Sequence, residues 1–344
     1  MGQDSQGETA DETTRAAMQQ MIYGFVFPPM LYVAAKLGIA DLLADGPQPI
    51  DALAAATGTH ASSLYRVLRA LASRGVFTQD EGQCFALTPQ AALLRTNVPG
   101  SLRSMAVYWG SPWLWNAWSH LLDGVQTGQT AFDLAHGTSF FAYLAQHPDD
   151  AEVFNQYMAE APMHRHAAVA AASDFSGMRL VVDVGGGHGA SLIALLQAHP
   201  ALRGVLFDLP QVVAGARDHL LAAGVADRCD PVGGDFFASV PPGGDAYLLE
   251  AVLHDWDDDR ALHILQNCRR VMAGHGKLFV AELIVPEGNE PSQAKLVDVV
   301  MLTMLGGQQR TEAEFRVLYA RAGFQLTNVV LTPSGMYVIE GVPV

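Results

Sequence analysis

Only three cysteines occur in the 344 residues, Cys84, Cys229 and Cys268, far apart and without CxxC spacing. They build neither a disulfide framework nor a thiolate zinc site, and a reducing cytoplasm is the expected location. Positive charge is also scarce: 20 Lys and Arg face 35 Asp and Glu, a formal net charge of −15. Such a balance repels phosphate backbones and anionic lipid headgroups, so nucleic acid and membrane are not expected partners. The opening MGQDSQGETADETTR has no basic segment leading into an apolar run, and the longest apolar stretch is interrupted by Pro28, Pro29 and Lys36. Neither a targeting leader nor a membrane span is expected. Internal repeats are missing, and compositional bias is limited to alanine. What the chain does have is apolar content: 50% of residues are hydrophobic and 16% charged. That is enough for a sizeable core at a length that suits two domains.

Residues 1 to about 15 show no periodicity and are expected to form a loose tail. A helical region follows. Ile50, Leu53 and Ala54 share one helical face, Gly58 breaks the chain, and Leu64, Val67, Leu68 and Leu71 share another before Gly75. Gly75–Thr78 and Cys84–Leu87 flank the turn-forming Gln79–Gly82, which predicts a hairpin completing a winged helix. From Arg179 the texture changes to short β-branched runs, LVVDV, GVLFD, DAYLLEAVL and KLFVAELIV, separated by helical patterns. That alternation predicts an α/β domain with a mostly parallel, Rossmann-like sheet. Phe324–Leu331 and Met336–Glu340 predict a closing antiparallel pair. The expected domains are 16–98 (winged helix), 99–172 (helical connector) and 173–344 (catalytic).

Strand LVVDV runs directly into Gly185-Gly186-Gly187-His188-Gly189 and an apolar helix. Glycines there let backbone pass under a ligand, whose polar groups face the N–H groups of the helix start. Asp208, 23 residues after Gly185 in LFDLP, ends the next strand, where a carboxylate can accept both hydroxyls of a ribose. Asp235 and Phe236 in GGDFF suit an adenine amino group and its face. His254 follows a fourth strand, and open α/β sheets place their ligands at such strand ends. Flanked by carboxylates, it has the makings of a tuned general base.

Read in order, VVDVGGGHG, LFDLP, GGDFF, VLHDWDDD, AELIVP, DVVMLTMLGG and RTEAEFRVLYARAGF resemble the caffeic-acid-type O-methyltransferases and their bacterial natural-product branch. The resemblance runs from about Met18 to the C-terminus. It implies S-adenosyl-L-methionine as cofactor, held by Asp183, Gly185, Gly187, Asp208, Leu209, Gly234, Asp235 and Phe236. It implies His254 as catalytic base, Glu282 as a flanking glutamate, and no metal. Phe154, Met158, Asp255, Trp256, Val300 and Met301 fall where the family lines its acceptor pocket, and a homodimer built through the N-terminal helices is implied. Two positions depart from the pattern. The second flanking glutamate falls on Gln309, and Glu250 stands where the plant enzymes have a cofactor-contacting lysine.

The chemistry follows from the groups themselves. A phenol of pKa about 10 is a poor nucleophile at neutral pH, and an imidazole of pKa about 6.5 can take its proton during attack. Gln309 can orient that imidazole but brings no charge. A hydroxyl already activated by conjugation, on a quinone, phenazine or carbonyl-bearing ring, is therefore the expected acceptor. Competing readings are an NAD-dependent oxidoreductase, which the glycines alone allow, a winged-helix regulator, and a degenerate relative using the cofactor for other chemistry.

Overall fold

A computed structural model describes residues 4–159 and 163–344. The chain divides into two compact units, one of Met1–Asn116 with His147–Glu160, the other of Ala117–Gln146 with Ala161–Val344. Residues of the 99–172 stretch thus fall in both.

In the first unit a helix covers Asp4–Tyr23, so most of the segment expected to be loose is helical. Its Ala, Gln, Met, Arg and Glu residues are good helix formers, and that local preference outweighs the lack of apolar periodicity in its first three turns. Beyond it, Phe27–Lys36 carries Pro28 and Pro29 in its first turn, where a missing N–H costs nothing. Helices Ile50–Thr57 and Ala61–Ala72 meet at Gly58, whose φ of 64° only glycine adopts readily. They bury Leu53, Leu64, Leu68 and Leu71 with Phe77 and Phe85 of the wing. The wing is a three-stranded sheet of β1 (Gln48–Pro49), β2 (Phe77–Gln79) and β3 (Cys84–Leu87), with β3 central and both pairings antiparallel.

The second unit is built on a seven-stranded sheet. Its strands are β4 (Leu180–Val184), β5 (Arg203–Asp208), β6 (Cys229–Gly233), β7 (Ala246–Glu250), β8 (Lys277–Glu282), β9 (Phe324–Leu331) and β10 (Tyr337–Pro343). The spatial order is β6-β5-β4-β7-β8-β10-β9, all parallel except β10, which runs antiparallel to β8 and β9. Apolar clusters cover both faces, which accounts for strands read as continuous hydrophobic runs. The chain starts at the centre with β4, moves out to β6, then returns to β7 on the other side of β4. Loops leaving β4 and β7 therefore diverge, and a crevice opens between them at the carboxyl ends of the strands.

Candidate active site

Backbone shape defines the first part of the crevice. Gly185, at φ 74°, has Val252 so close that an added Cβ would sit 2.9 Å from its Cγ2, and a Cβ on Gly186 would sit 2.5 Å from Asp183 Oδ2. Gly185 and Gly186 thus leave no room for a side chain. The Gly187 N–H donates to Asp208 Oδ2 at 2.8 Å and the Leu209 N–H to Oδ1 at 2.7 Å. These bonds fix the carboxylate at the end of β5; burial raises its pKa and the two N–H groups oppose the rise. Asp235 Oδ1 accepts the Phe237 N–H at 2.8 Å, while Asn267, fully buried, donates to the carbonyls of Phe236 and Phe237 at 2.7 and 3.0 Å. Gly234 leads into this turn and is held by its N–H to the Asp208 carbonyl.

Asp183 lies under the glycine turn, 1% exposed. Burial pushes its pKa well above the usual carboxylate range, and the charges of Glu250 and Asp208 push it further. Glu250 behaves oppositely. Burial would raise it, but His166, Arg165 and Ser191 hold it below its ordinary value. Arg165 Nε is 3.1 Å from Oε1, His166 Nδ1 is 2.9 Å from it, and Ser191 donates to Oε2 at 2.7 Å. The charge reversal read at this position is thus matched by the guanidinium of Arg165 and by hydrogen bonds from its neighbours, and the motif reading had singled out neither Arg165 nor His166. Sequence distance hides them, since Arg165 lies 85 residues from its partner.

Beyond β7 the backbone turns sharply. Ala251 adopts φ 55°, a left-handed conformation that costs a residue with a Cβ about 1 kcal/mol or more, and Leu253–Asp255 form one 3-10 turn. Two buried charges hold this turn from opposite sides. Glu282 Oε1, at the end of β8, accepts the N–H groups of Val252, Leu253 and His254 at 3.0, 2.9 and 3.3 Å. Arg310, 1% exposed, donates to the carbonyls of Leu253 and Trp256 at 3.0 and 2.9 Å and pairs with Asp258 at 2.9 Å. Arg310 was missed in the sequence, where it stands between GGQQ and TEAEF as an ordinary loop cation.

The clamped turn delivers His254. Its Nδ1 lies 2.6 Å from Glu282 Oε2 and its Nε2 3.2 Å from Asp255 Oδ1. Burial works to lower the imidazole's pKa, but the charges of Glu282 and Asp255 outweigh it and raise it to about 10. Asp255 is itself raised by burial, with His254 opposing. Asp255, read in the sequence as pocket lining, thus stands where a second flanking acid was expected.

Gln309 does not take that place. A Cβ on Gly307 would collide with the His254 carbonyl, so the Gly306–Arg310 loop packs directly on the catalytic turn. Yet the Gln309 amide, 5% exposed, hydrogen-bonds to nothing among the described residues, and both imidazole nitrogens face carboxylates. The expectation that it orients the ring is corrected accordingly. Trp256 packs edge-on to Phe237 at 4.8 Å, and Met301 and Val300 lie on the helix Gln293–Met304 of the same unit. Phe154 and Met158 belong to the first unit, on the helix Pro148–Ala159.

Comparison with known proteins places this arrangement. Residues 118–325 match the O-methyltransferase domain family, and residues 19–97 match the O-methyltransferase dimerisation domain. The chain belongs to this family. The methyltransferase is 50% identical to the phenazine O-methyltransferase PhzM of Lysobacter antibioticus over 94% of its own length and 95% of the relative's. The solved structure of LaPhzM superposes with a TM-score of 0.92 at 50% identity, covering 96% of this chain and 99% of that one. That of NcsB1 from neocarzinostatin biosynthesis, in complex with S-adenosylmethionine and 2-hydroxy-5-methyl naphthoic acid, does so with 0.83 at 33% identity, covering 92% and 96%. Family membership sets aside the oxidoreductase and regulator readings, and the methyltransferase uses S-adenosylmethionine. Its residues fit that group: the turn at Gly185–Gly186 carries no side chain to obstruct it, and Asp208 is pinned at the strand end by two N–H groups.

Proposed function

We propose that this methyltransferase O-methylates a hydroxyl on a flat, electron-poor fused aromatic ring, a hydroxyphenazine being the representative acceptor. It acts as a homodimer, with His254 handling the acceptor proton. Asp183, Gly185, Gly187, Asp208, Leu209, Gly234, Asp235 and Phe236 would hold the cofactor, with Glu250 supporting them through Arg165 and His166. S-adenosylmethionine supplies an electrophilic methyl group on a sulfonium. The protein's own task is to present an electron-rich oxygen in line with that methyl.

The observation carrying the proposal is the imidazole between Glu282 and Asp255. At a pKa of about 10 it is protonated at neutral pH. A weakly acidic phenol cannot unload its proton onto an imidazolium. A conjugated hydroxyl ionising near neutrality can deliver its phenolate to that imidazolium, and the pair holds the same number of protons as imidazole with phenol. The acceptor class implied by the 50% identical relative is of this kind. Trp256, Val300 and Met301 would supply apolar walls for the ring.

The test is incubation of the purified protein with cofactor and a series of aromatic hydroxyls, with the product located by mass and NMR. Methyl ether formation on a phenazinol is expected, and His254→Ala should lose about 10²- to 10⁴-fold in turnover. Transfer to ring nitrogen instead of oxygen, or full rate in the variant, would refute the proposal.

A further inference from the structure

The Gln309 carboxamide is 95% buried by its 5% exposure, yet neither its N–H₂ nor its C=O has a hydrogen-bond partner among the described residues. Native proteins rarely leave both ends of a buried amide unsatisfied, and doing so sacrifices the hydration of each. The chain on either side is firmly held. The Gln309 N–H donates to Asp298 Oδ1 at 2.8 Å, Gln308 donates to Asp258 at 2.8 Å, and Arg310 is bonded to Leu253 and Trp256. The amide is thus fixed beside the catalytic turn without serving the fold. His254 does not use it, since both ring nitrogens already face carboxylates. Nearby in the chain's packing, the indole N–H of Trp256 is likewise buried without a partner.

We propose that Gln309 determines acceptor specificity: its N–H donates to a second heteroatom of the acceptor, a ring nitrogen or carbonyl oxygen adjacent to the reacting hydroxyl. The inference rests on the acceptor reading above and deepens it. A hydroxyl next to such a heteroatom closes an internal O–H···N or O–H···O=C hydrogen bond, which ties up its proton and turns the hydroxyl away from any external group. An amide donor placed at the heteroatom exchanges one hydrogen bond for another. The freed hydroxyl then gives its proton to solvent, and the phenolate turns to the His254 imidazolium as the oxygen attacks. Glutamate, ionised, has no proton to donate and would face the heteroatom lone pair with a negative charge. The loss of the family's second glutamate is thereby a gain of function toward this acceptor class.

The experiment compares 1-hydroxyphenazine, whose hydroxyl is peri to a ring nitrogen, with 2-hydroxyphenazine, whose hydroxyl is remote from it. Wild type, Gln309→Glu and Gln309→Met are assayed for kcat/KM. Acceptor affinity is measured by calorimetry on enzyme saturated with S-adenosylhomocysteine, which reads binding apart from turnover. Both variants should lose about 10- to 100-fold on the 1-isomer in both measurements and change by less than about 3-fold on the 2-isomer. Equal effects on the two isomers would overturn the inference. Wild type alone gives an independent check should the variants fail to fold: 1-hydroxyanthracene, with carbon in place of nitrogen, should bind at least about 10-fold more weakly than 1-hydroxyphenazine. Equal affinity overturns the inference. Failure of wild type to methylate either phenazinol refutes the underlying acceptor reading instead.

Discussion

With Glu282 2.6 Å from one ring nitrogen and Asp255 3.2 Å from the other, His254 stays an imidazolium across the neutral range. This has a kinetic signature. If imidazolium and phenolate combine, kcat/KM rises through the acceptor's own pKa and falls near 10, so the acid limb should move with the acceptor across a series of ring-substituted phenols. A histidine of ordinary pKa would instead fix that limb near about 6.5 for every acceptor. A stationary limb would refute the raised pKa. Asp183 gives a second expectation, about stability. Its folded-state pKa is raised far above the value of about 3.9 in an unfolded chain, so above that pH unfolding releases a proton and is favoured. Replacement by the isosteric Asn removes this penalty. Asp183→Asn should therefore raise the melting temperature of the cofactor-free protein by about 2–4 °C at pH 8, with a smaller gain at pH 5.5. A variant less stable than wild type at pH 8 would show that the carboxylate is ionised and stabilising.

At the level of elements, the catalytic turn depends on two charges from distant strands and loops. Arg310→Met leaves the carbonyls of Leu253 and Trp256 without their donor and Asp258 without its cation. We expect a loss of about 3 kcal/mol in stability and about 10- to 100-fold in kcat, with S-adenosylhomocysteine affinity nearly unchanged, and partial recovery in Arg310→Lys. Parallel loss of cofactor affinity would mean that the turn and the cofactor crevice are one unit. The contrast with the readable parts of the chain is physical. Continuous apolar runs marked the central strands, because burial on both faces leaves a local pattern, and the half-exposed edge strand Phe324–Leu331 was also found at its expected bounds. The glycine turn, Asp208 and His254 were legible because their spacing follows strand and loop lengths, and Glu282 through the family resemblance. Arg310, Arg165 and His166 were not, because each acts across 50 or more residues of sequence on a partner that only the fold brings near. The Gln309 substitution was visible, but its meaning required seeing that Asp255 occupies the second side of the imidazole.

For the whole molecule, the first unit leaves apolar side chains outside. Met18, Met21, Ile22 and Phe25 are 57, 75, 61 and 59% exposed, and Tyr23 63%. Met18, Met21 and Ile22 share one face of the helix Asp4–Tyr23, and Phe25 follows in the 3-10 turn Gly24–Val26, so they form a local apolar strip rather than scattered contacts. Contiguous exposed stripes of this kind mark association surfaces, and all of this one but Met18 lies within the segment matching the dimerisation domain. A second copy of the chain fits both facts. A closed twofold contact brings the same stripe of each protomer into a shared interface, where apolar burial must overcome the repulsion between two chains of net charge −15. Salt screens that repulsion and leaves apolar burial intact. The proposed homodimer should therefore tighten between 50 mM and 500 mM NaCl, the reverse of an association built on ion pairs. Sedimentation equilibrium of wild type and of Met21→Glu/Ile22→Glu checks this, since the double variant adds two more charges to the stripe of each protomer. The variant should sediment as monomer at concentrations where wild type is dimeric, with its winged-helix core still folded by circular dichroism. A dimer that survives the substitutions, or one that dissociates as salt rises, would place the interface elsewhere.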